Sequence, residues 1–171
     1  MPPSEGAGGG PMGGAGAPDT TREIARDTAR LAALYQELIL DHYRRPRNKG
    51  TLEGADAHVA AKNPLCGDEI DLQLRFDRGR VAEAKFAGRG CSISQSSASM
   101  MTELVRGKAA AEVHALARRF AEMLGGSEEA AADERLGELR ALSGVSKFPM
   151  RVKCALLPWK ALEEGLRVPR R

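Results

Sequence analysis

The chain reads Ile70-Asp71-Leu72-Gln73-Leu74-Arg75-Phe76-Asp77-Arg78-Gly79-Arg80, and this stretch decides the fold. Apolar and polar residues alternate over positions 70–76, which is the pattern of a strand with one buried face and one exposed face. The next four residues predict a hairpin turn, and residues 81–86 predict the strand that returns from it. Residues 57–63 predict another strand just upstream. We therefore expect a three-stranded antiparallel sheet.

Helical periodicity flanks this sheet on both sides. Apolar side chains recur on one face over residues 31–42, and Pro46 ends that pattern. Further helices are predicted over residues 92–106, 109–124, 136–142 and 149–165, with a polar, exposed segment over residues 127–135. Pro158 lies inside the last helix and has no N–H, so we expect a kink there. The predicted fold class is α+β, a three-stranded antiparallel sheet with several helices packed on it.

The domain organisation follows from length and composition. A chain of 171 residues is long enough for one domain with its own core. Its start is rich in Gly, Ala and Pro and has almost no bulky side chain, so it cannot bury enough apolar area to offset the entropy of ordering. We expect a disordered tail over residues 1–27 and a single domain over residues 28–171.

Charge and composition exclude several classes of function. A net charge of +3 and an aromatic content of 4% are not typical of a nucleic-acid-binding protein, which needs a concentrated basic face and stacking platforms. The apolar runs are too short to span a bilayer, so we expect no membrane association. No secretory signal is recognisable at the N-terminus. Few cysteines, with no obvious pairing, suit a reducing compartment, and we expect a cytoplasmic protein.

Three cysteines carry the chemistry of the chain: Cys66, Cys91 and Cys154. An odd number cannot form a full disulfide set, and their spacing matches no zinc-finger motif. Each lies at the end of a predicted element, and Asp68 follows the first of them by two positions. Three thiolates and one carboxylate make a complete tetrahedral ligand set for zinc, or for iron with sulfide.

Two interpretations of the cysteines remain open at this point. Cysteine is among the most frequently buried residue types, so each could be an inert core residue. Glycine or charged neighbours flank all three, however, which favours a shared metal or sulfur site. Cys91 also lies at the predicted start of a helix, where free N–H groups stabilise a thiolate. The serine-rich sequence that follows it predicts a helix face that another element approaches closely.

The stretches over residues 35–50, 63–68 and 88–99 resemble three motifs of the NifU/IscU/SufU family of iron–sulfur cluster assembly proteins. The resemblance extends over about residues 31–166. The family fold is a three-stranded antiparallel sheet with packed helices, in agreement with the pattern above. The resemblance implies a metal site formed by Cys66, Asp68, Cys91 and Cys154.

Three departures indicate which branch of the family the chain resembles. Lys153 precedes the last cysteine where the IscU scaffold branch typically has histidine, and residues 148–152 replace a chaperone-recognition segment. An insertion also lies within residues 108–135. These features resemble SufU, the zinc-dependent branch that accepts persulfide sulfur from a cysteine desulfurase. The resemblance implies zinc as the cofactor, a SufS-type desulfurase as the partner, and a downstream cluster-assembly complex.

Within that resemblance, Cys66 is the expected persulfide acceptor because it lies on a loop beside a glycine. Lys153 and Arg151 are expected to balance the thiolate charge and to dock the partner. Two alternatives stay open: a scaffold that carries iron or a 2Fe–2S cluster on the same four ligands, and a purely structural zinc module. Whether the protein counts as an enzyme depends on this choice, since only the SufU-type role is sulfurtransferase-like.

Overall fold

A computed structural model describes residues 19–169. The elements in chain order are α1 (Thr20–Arg44), β1 (Ala57–Asn63), β2 (Asp68–Asp77), β3 (Arg80–Arg89), α2 (Ser92–Val105), α3 (Ala110–Leu124), α4 (Glu128–Ala131), a 3-10 helix (Glu134–Lys147) and α5 (Pro149–Leu166). Within the described range, no helix combines the length and the apolar composition needed to cross a membrane.

The sheet has the predicted antiparallel topology, with strand order β1-β2-β3. Its first turn is short, and Asn63 pairs directly with Asp68 across it. The second turn places Arg78 and Gly79 at positive φ, 50° and 77°, as a two-residue hairpin between twisted strands requires. The alternation in β2 buries its apolar side chains, so the α+β prediction is confirmed.

The helices cover one face of the sheet and enclose the core. Helix α5 lies so close to β2 that a Cβ placed on Gly165 would come within 2.7 Å of Leu74 Cδ1. Trp159 of α5 packs on Phe120 of α3, with ring centroids 5.3 Å apart. Both rings are buried, so this aromatic pair joins α3 to α5.

The serine-rich start of α2 packs against α5, as its small side chains predict. Residues 94–99 are all buried, and the Ser97 hydroxyl donates a hydrogen bond of 2.6 Å to the Ala155 carbonyl. Small side chains let the two helix axes approach, and the hydroxyl satisfies a carbonyl that would otherwise be buried between them. This close packing brings the start of α2 next to the start of α5.

The start of α1 differs from the prediction. The helix begins at Thr20, so residues 20–27, which we assigned to the disordered tail, are helical. Asp19 caps the helix by accepting a hydrogen bond from the Arg22 N–H at 3.4 Å, and no Gly or Pro follows until Pro46. The predictions for residues 1–18 lie outside the described residues.

The region after α3 also has more structure than predicted. Residues 127–135, expected to be an exposed segment, contain α4, and Ala130 is fully buried. Arg119 anchors this segment through a hydrogen bond of 2.8 Å to the Asp133 carboxylate. The helix predicted over residues 136–142 is a longer 3-10 helix with a non-helical residue at Gly137. Helix α5 continues past Pro158, and the kink there stays a prediction.

Candidate metal centre

The three cysteines converge at one end of the sheet, each from a different element. Cys66 lies in the turn between β1 and β2, Cys91 is the N-cap residue of α2, and Cys154 is in the second turn of α5. The turn is made tight by Gly67, whose φ of 70° is costly for other residues. The close approach of α2 and α5 described above brings the other two cysteines to this turn.

The side chains of Cys66, Asp68 and Cys154 form the centre of the cluster. The Cys66 thiol lies 2.9 Å from Asp68 Oδ2 and 3.2 Å from Cys154 Sγ. One ligand atom from each of the three residues lies within 4.8 Å of the other two. Cys91 joins through the carboxylate, because its Sγ is 3.6 Å from Asp68 Oδ2. The structure thus brings together all four residues that the sequence singled out.

Asp68 connects the sheet to α2 through its two carboxylate oxygens. Oδ1 accepts a hydrogen bond of 2.8 Å from the Cys91 N–H, and Oδ2 faces the sulfurs. Burial raises the pKa of Asp68, but the hydrogen bonds from Cys66, from the Cys91 N–H and from the other thiols outweigh it and bring the pKa below its ordinary value. The carboxylate is therefore ionised at neutral pH and is available as an oxygen ligand.

Gly90 leaves the space that this carboxylate occupies. A Cβ at position 90 would lie 2.5 Å from both Asp68 Oδ1 and Ser94 Oγ. Ser94 in turn donates its backbone N–H to Cys91 Sγ at 3.5 Å, which holds the thiol at the helix cap. The sequence analysis above assigned no role to Gly90 or to Ser94. The Gly-Cys-x-x-Ser spacing was the available signal.

The sulfurs differ strongly in exposure. Cys66 is exposed, Cys91 is intermediate and Cys154 is buried, with 1% of its surface accessible. Burial, and then the neighbouring Asp68 and Cys66, raise the pKa of Cys154 well above its ordinary value. In the metal-free chain this thiol therefore keeps its proton, and a bound cation would have to displace it.

Positive charge at the site comes chiefly from Arg151. Its pKa is raised by the charge of Cys91, by a hydrogen bond to that residue and by the charge of Cys154, so its guanidinium lies against the sulfurs. Lys153 is exposed on the same helix. Arg89, a further candidate for charge balance, instead contacts Glu69 at 3.7 Å.

The donor set fits a tetrahedral thiolate-binding metal ion. Three sulfurs and one carboxylate oxygen are suitable ligands for zinc, which accepts Cys and Asp together. Among the described residues, no histidine belongs to the group of ligand atoms. His42 is engaged with Ser99 and Glu138 in a separate cluster, His58 pairs with Asp71 on the sheet, and His114 lies in α3. The arrangement therefore fits a site formed by Cys66, Asp68, Cys91 and Cys154.

Comparison with known proteins gives the chain a family. Residues 34–155 match the model of the NifU-like N-terminal domain. The chain is 48% identical over 138 residues to the zinc-dependent sulfurtransferase SufU of Bacillus subtilis, covering 81% of this chain and 92% of that protein. It is 46% identical over 139 residues to the iron–sulfur cluster assembly scaffold protein IscU of Streptococcus pyogenes, covering 81% and 86% respectively.

Solved structures share the same fold. A crystal structure described as a hypothetical protein superposes with a TM-score of 0.74 at 45% identity, covering 79% of this chain and 98% of that one. The putative scaffold protein for the SUF system from Fervidobacterium islandicum has a TM-score of 0.71 at 38% identity, covering 77% and 95%. The sheet, the four converging side chains and these likenesses agree: the chain belongs to the NifU-like N-terminal domain family.

Proposed function

We propose that the chain is a zinc-binding sulfur acceptor, which takes persulfide sulfur from a cysteine desulfurase for iron–sulfur cluster assembly. The observation that carries this proposal is the position of Cys66. Its sulfur is the exposed one in the cluster, on a four-residue turn, while Cys154 is buried in α5. The similarity to the Bacillus subtilis relative, which is named a zinc-dependent sulfurtransferase, supports the same role.

Cys66, Asp68, Cys91 and Cys154 would hold the zinc ion. Bound zinc keeps thiolates deprotonated at neutral pH and, having no redox chemistry, does not oxidise them. Asp68 positions the donors, since one of its oxygens holds the Cys91 backbone and the other faces the sulfurs. Cys91 and Cys154 are anchored by helices, so the turn with Cys66 is the part that can move.

The chemical step is a displacement at sulfur. The Cys66 thiolate attacks the outer sulfur of the desulfurase persulfide, a new S–S bond forms, and the desulfurase cysteine leaves as a thiolate. Arg151 lies against Cys91 and Cys154, where its charge stabilises thiolate character during the exchange. No oxidant or reductant is consumed, because the sulfur only changes its carrier.

The surface around Cys66 suits a protein partner. Leu65, Phe148 and Met150 are large apolar side chains with 61%, 60% and 59% of their surface exposed. Arg151 and Lys153 are exposed beside them on α5. An apolar patch with a basic rim fits a desulfurase of the SufS type whose docking surface is apolar at its centre and acidic at its edge.

A scaffold that carries a 2Fe–2S cluster is the second candidate. It is favoured by the 46% identity to the Streptococcus pyogenes protein that is named a scaffold, and it needs the same four ligands. The metal content and the colour of the purified protein distinguish the two candidates. Stoichiometric zinc and no visible absorption support the sulfur acceptor, whereas a brown chromophore after aerobic purification supports the scaffold.

The decisive experiment combines desulfurase turnover with mapping of the transferred sulfur. The zinc-loaded chain should accelerate a SufS-type desulfurase, and alkylation with mass spectrometry should place the extra sulfur on Cys66. Cys66→Ser and Cys91→Ser are matched variants, since each loses one ligand but only the first loses the acceptor. Persulfide on Cys66 in the Cys91→Ser protein supports the proposal. Extra sulfur on Cys91 or Cys154 with Cys66 unmodified would refute the role of Cys66.

A further inference from the structure

Cys66 and Cys154 lie closer together than two ligands of one metal ion. Their sulfurs are 3.2 Å apart. Two thiolates on a tetrahedral zinc ion, with bonds of about 2.3 Å, are roughly 3.8 Å apart. Only a small further approach would allow an S–S bond. Cys66 lies on a four-residue turn and Cys154 lies in a helix, so a shift of the turn can supply that movement.

Cys91 does not share this proximity. Its Sγ lies 3.6 Å from Asp68 Oδ2 and 3.9 Å from Ser94 Oγ, and it accepts the Ser94 N–H at the helix cap. It is also outside the group of ligand atoms that all lie within 4.8 Å of one another. A disulfide to Cys91 would have to break the cap and displace the carboxylate.

We propose that Cys66 and Cys154 form a disulfide in the metal-free chain, which makes the site a reversible thiol–disulfide switch. The regulatory meaning rests on the proposed function, because the disulfide consumes the acceptor and two of the four zinc ligands. A closed disulfide and a bound zinc ion exclude each other. Zinc would then protect the acceptor thiol, and loss of zinc under oxidising conditions would inactivate the site without destroying it.

A low-molecular-weight disulfide such as oxidised glutathione is a sufficient oxidant. The exposed Cys66 thiolate attacks it, a mixed disulfide forms, and one glutathione thiolate leaves. Cys154 then attacks Cys66 Sγ while its proton passes to the neighbouring Asp68 carboxylate, and the second glutathione leaves as a thiolate. The two protein thiols give up two electrons, and the oxidised glutathione becomes two molecules of reduced glutathione. The buried position of Cys154 makes it the resolving and not the attacking thiol.

Trypsin makes the test direct, because it releases each cysteine on its own peptide: residues 63–75, 90–106 and 154–160. The chelated, metal-free chain is treated with oxidised glutathione, alkylated and digested without reduction. The expected major product is the cross-link between peptides 63–75 and 154–160. Cross-links that involve peptide 90–106 in equal or greater amount, or only glutathione adducts, would overturn the proposal.

Two variants and one titration complete the experiment. Cys91→Ser should still form the disulfide, whereas Cys154→Ser should stop at a glutathione adduct on Cys66. If either variant fails to fold, the mapping of the unmodified chain still decides. The oxidised chain should lose zinc uptake, and a thiol reductant should restore it. No desulfurase is present in this experiment, so absence of the disulfide would leave the sulfur-transfer proposal intact. Conversely, a failure of sulfur transfer from a desulfurase would leave the disulfide result intact.

Discussion

Helix α2 carries one polar cluster at its start and another at its middle, and the two clusters differ in how their polar groups are satisfied. At the start, the Cys91 thiol lies 3.6 Å from the Asp68 carboxylate, which also contacts the Cys66 thiol, and Cys66 in turn contacts Cys154. Further along, the Ser99 hydroxyl lies 2.7 Å from His42 Nδ1 and accepts the Arg47 N–H at 2.8 Å. The first cluster is rich in sulfur, and the second contains only nitrogen and oxygen.

The second cluster is complete within the protein. His42 is fully buried, and its Nε2 lies 2.6 Å from Glu138 Oε2. A neutral imidazole with its proton on Nε2 satisfies both contacts, since it donates to Glu138 and accepts from Ser99. This cluster therefore connects α1, α2 and the 3-10 helix through normal hydrogen bonds, and we expect it to contribute to stability alone.

The first cluster is not completed by its own groups. Thiols are weak donors and weak acceptors, so contacts among three sulfurs and one carboxylate stabilise the fold little. The same atoms become strong ligands once a cation displaces the protons. The comparison teaches that two polar clusters on one helix can differ in what completes them: hydrogen bonds complete the cluster around His42, whereas we propose that a metal ion completes the cluster around Cys66.

The largest expected effect is the loss of zinc in Cys154→Ala. Partners that merely orient a metal ligand change affinity by about 10–100-fold, so removal of a ligand should weaken binding by more than about 100-fold. Asp68→Ala should bind zinc better than Cys154→Ala, because three thiolates remain. Equilibrium dialysis against a chelator with elemental analysis measures both. Full zinc occupancy in Cys154→Ala would break the four-ligand assignment.

Chelation should lower the melting temperature of the protein. The site joins the β1–β2 turn to α2 and α5, so zinc binding energy is partly folding energy. A ligand at 1,000 times its dissociation constant adds about 4 kcal/mol to the free energy of unfolding. Thermal unfolding with and without verified zinc removal checks this. Superimposable curves would mean that the cluster does not need its metal ion for stability, which contradicts the contrast drawn above.

His42→Ala tests the other cluster. It leaves Ser99 and Glu138 without their shared partner and opens a cavity, so we expect a loss of roughly 2–4 kcal/mol in the free energy of unfolding. Zinc stoichiometry should be unchanged. His58→Ala is the matched control: His58 is exposed on the sheet and should change stability by less than about 0.5 kcal/mol. Denaturant unfolding and elemental analysis measure both. A loss of zinc in folded His42→Ala would show that the clusters are coupled.

Gly90→Ala should weaken zinc binding, and its effect on the free energy of unfolding should be smaller than that of His42→Ala. Its new Cβ would meet Asp68 Oδ1 and Ser94 Oγ, and the carboxylate would have to move away from the sulfurs. We expect about a tenfold loss of zinc affinity, in the range for groups that orient a ligand. Gly144→Ala is the control, since its added Cβ has no neighbour within 4 Å and its φ is not positive. If Gly90→Ala and Gly144→Ala have equal zinc affinities in competition titrations, Gly90 does not have the role proposed for it.

The smallest expected effect concerns Asp133, outside both clusters. Hydrogen bonds from Arg135 and then Arg119 hold the pKa of Asp133 far below its ordinary value. A lowered folded pKa means stability that is present above the unfolded pKa of about 3.9 and is lost as the pH falls towards the folded pKa. Asp133→Asn should therefore have a lower melting temperature than the unmodified protein at pH 7, and this difference in melting temperature should become smaller in acid. A difference that stays constant down to pH 2 would contradict the charge argument.

The strands, the turn with Cys66 and the capping position of Cys91 follow from local sequence, because alternation, glycine placement and helix capping act within a few residues. The start of α1 was missed because the capping aspartate follows a Gly- and Ala-rich stretch that hides it. The segment around α4 was missed because its order depends on Arg119, which lies in another helix.

The sequence by itself singled out four side chains as candidate metal ligands and predicted that the three sulfurs among them lie at the ends of elements. The tertiary structure decided how they meet: the approach of α2 to α5, the double use of the Asp68 carboxylate, the space left by Gly90, and the 3.2 Å contact between Cys66 and Cys154. It also decided that His42 belongs to a closed hydrogen-bonded cluster. The physical reason is the sequence separation of the contacting residues. These contacts join residues that are far apart in the chain, and they depend on how closely whole helices pack.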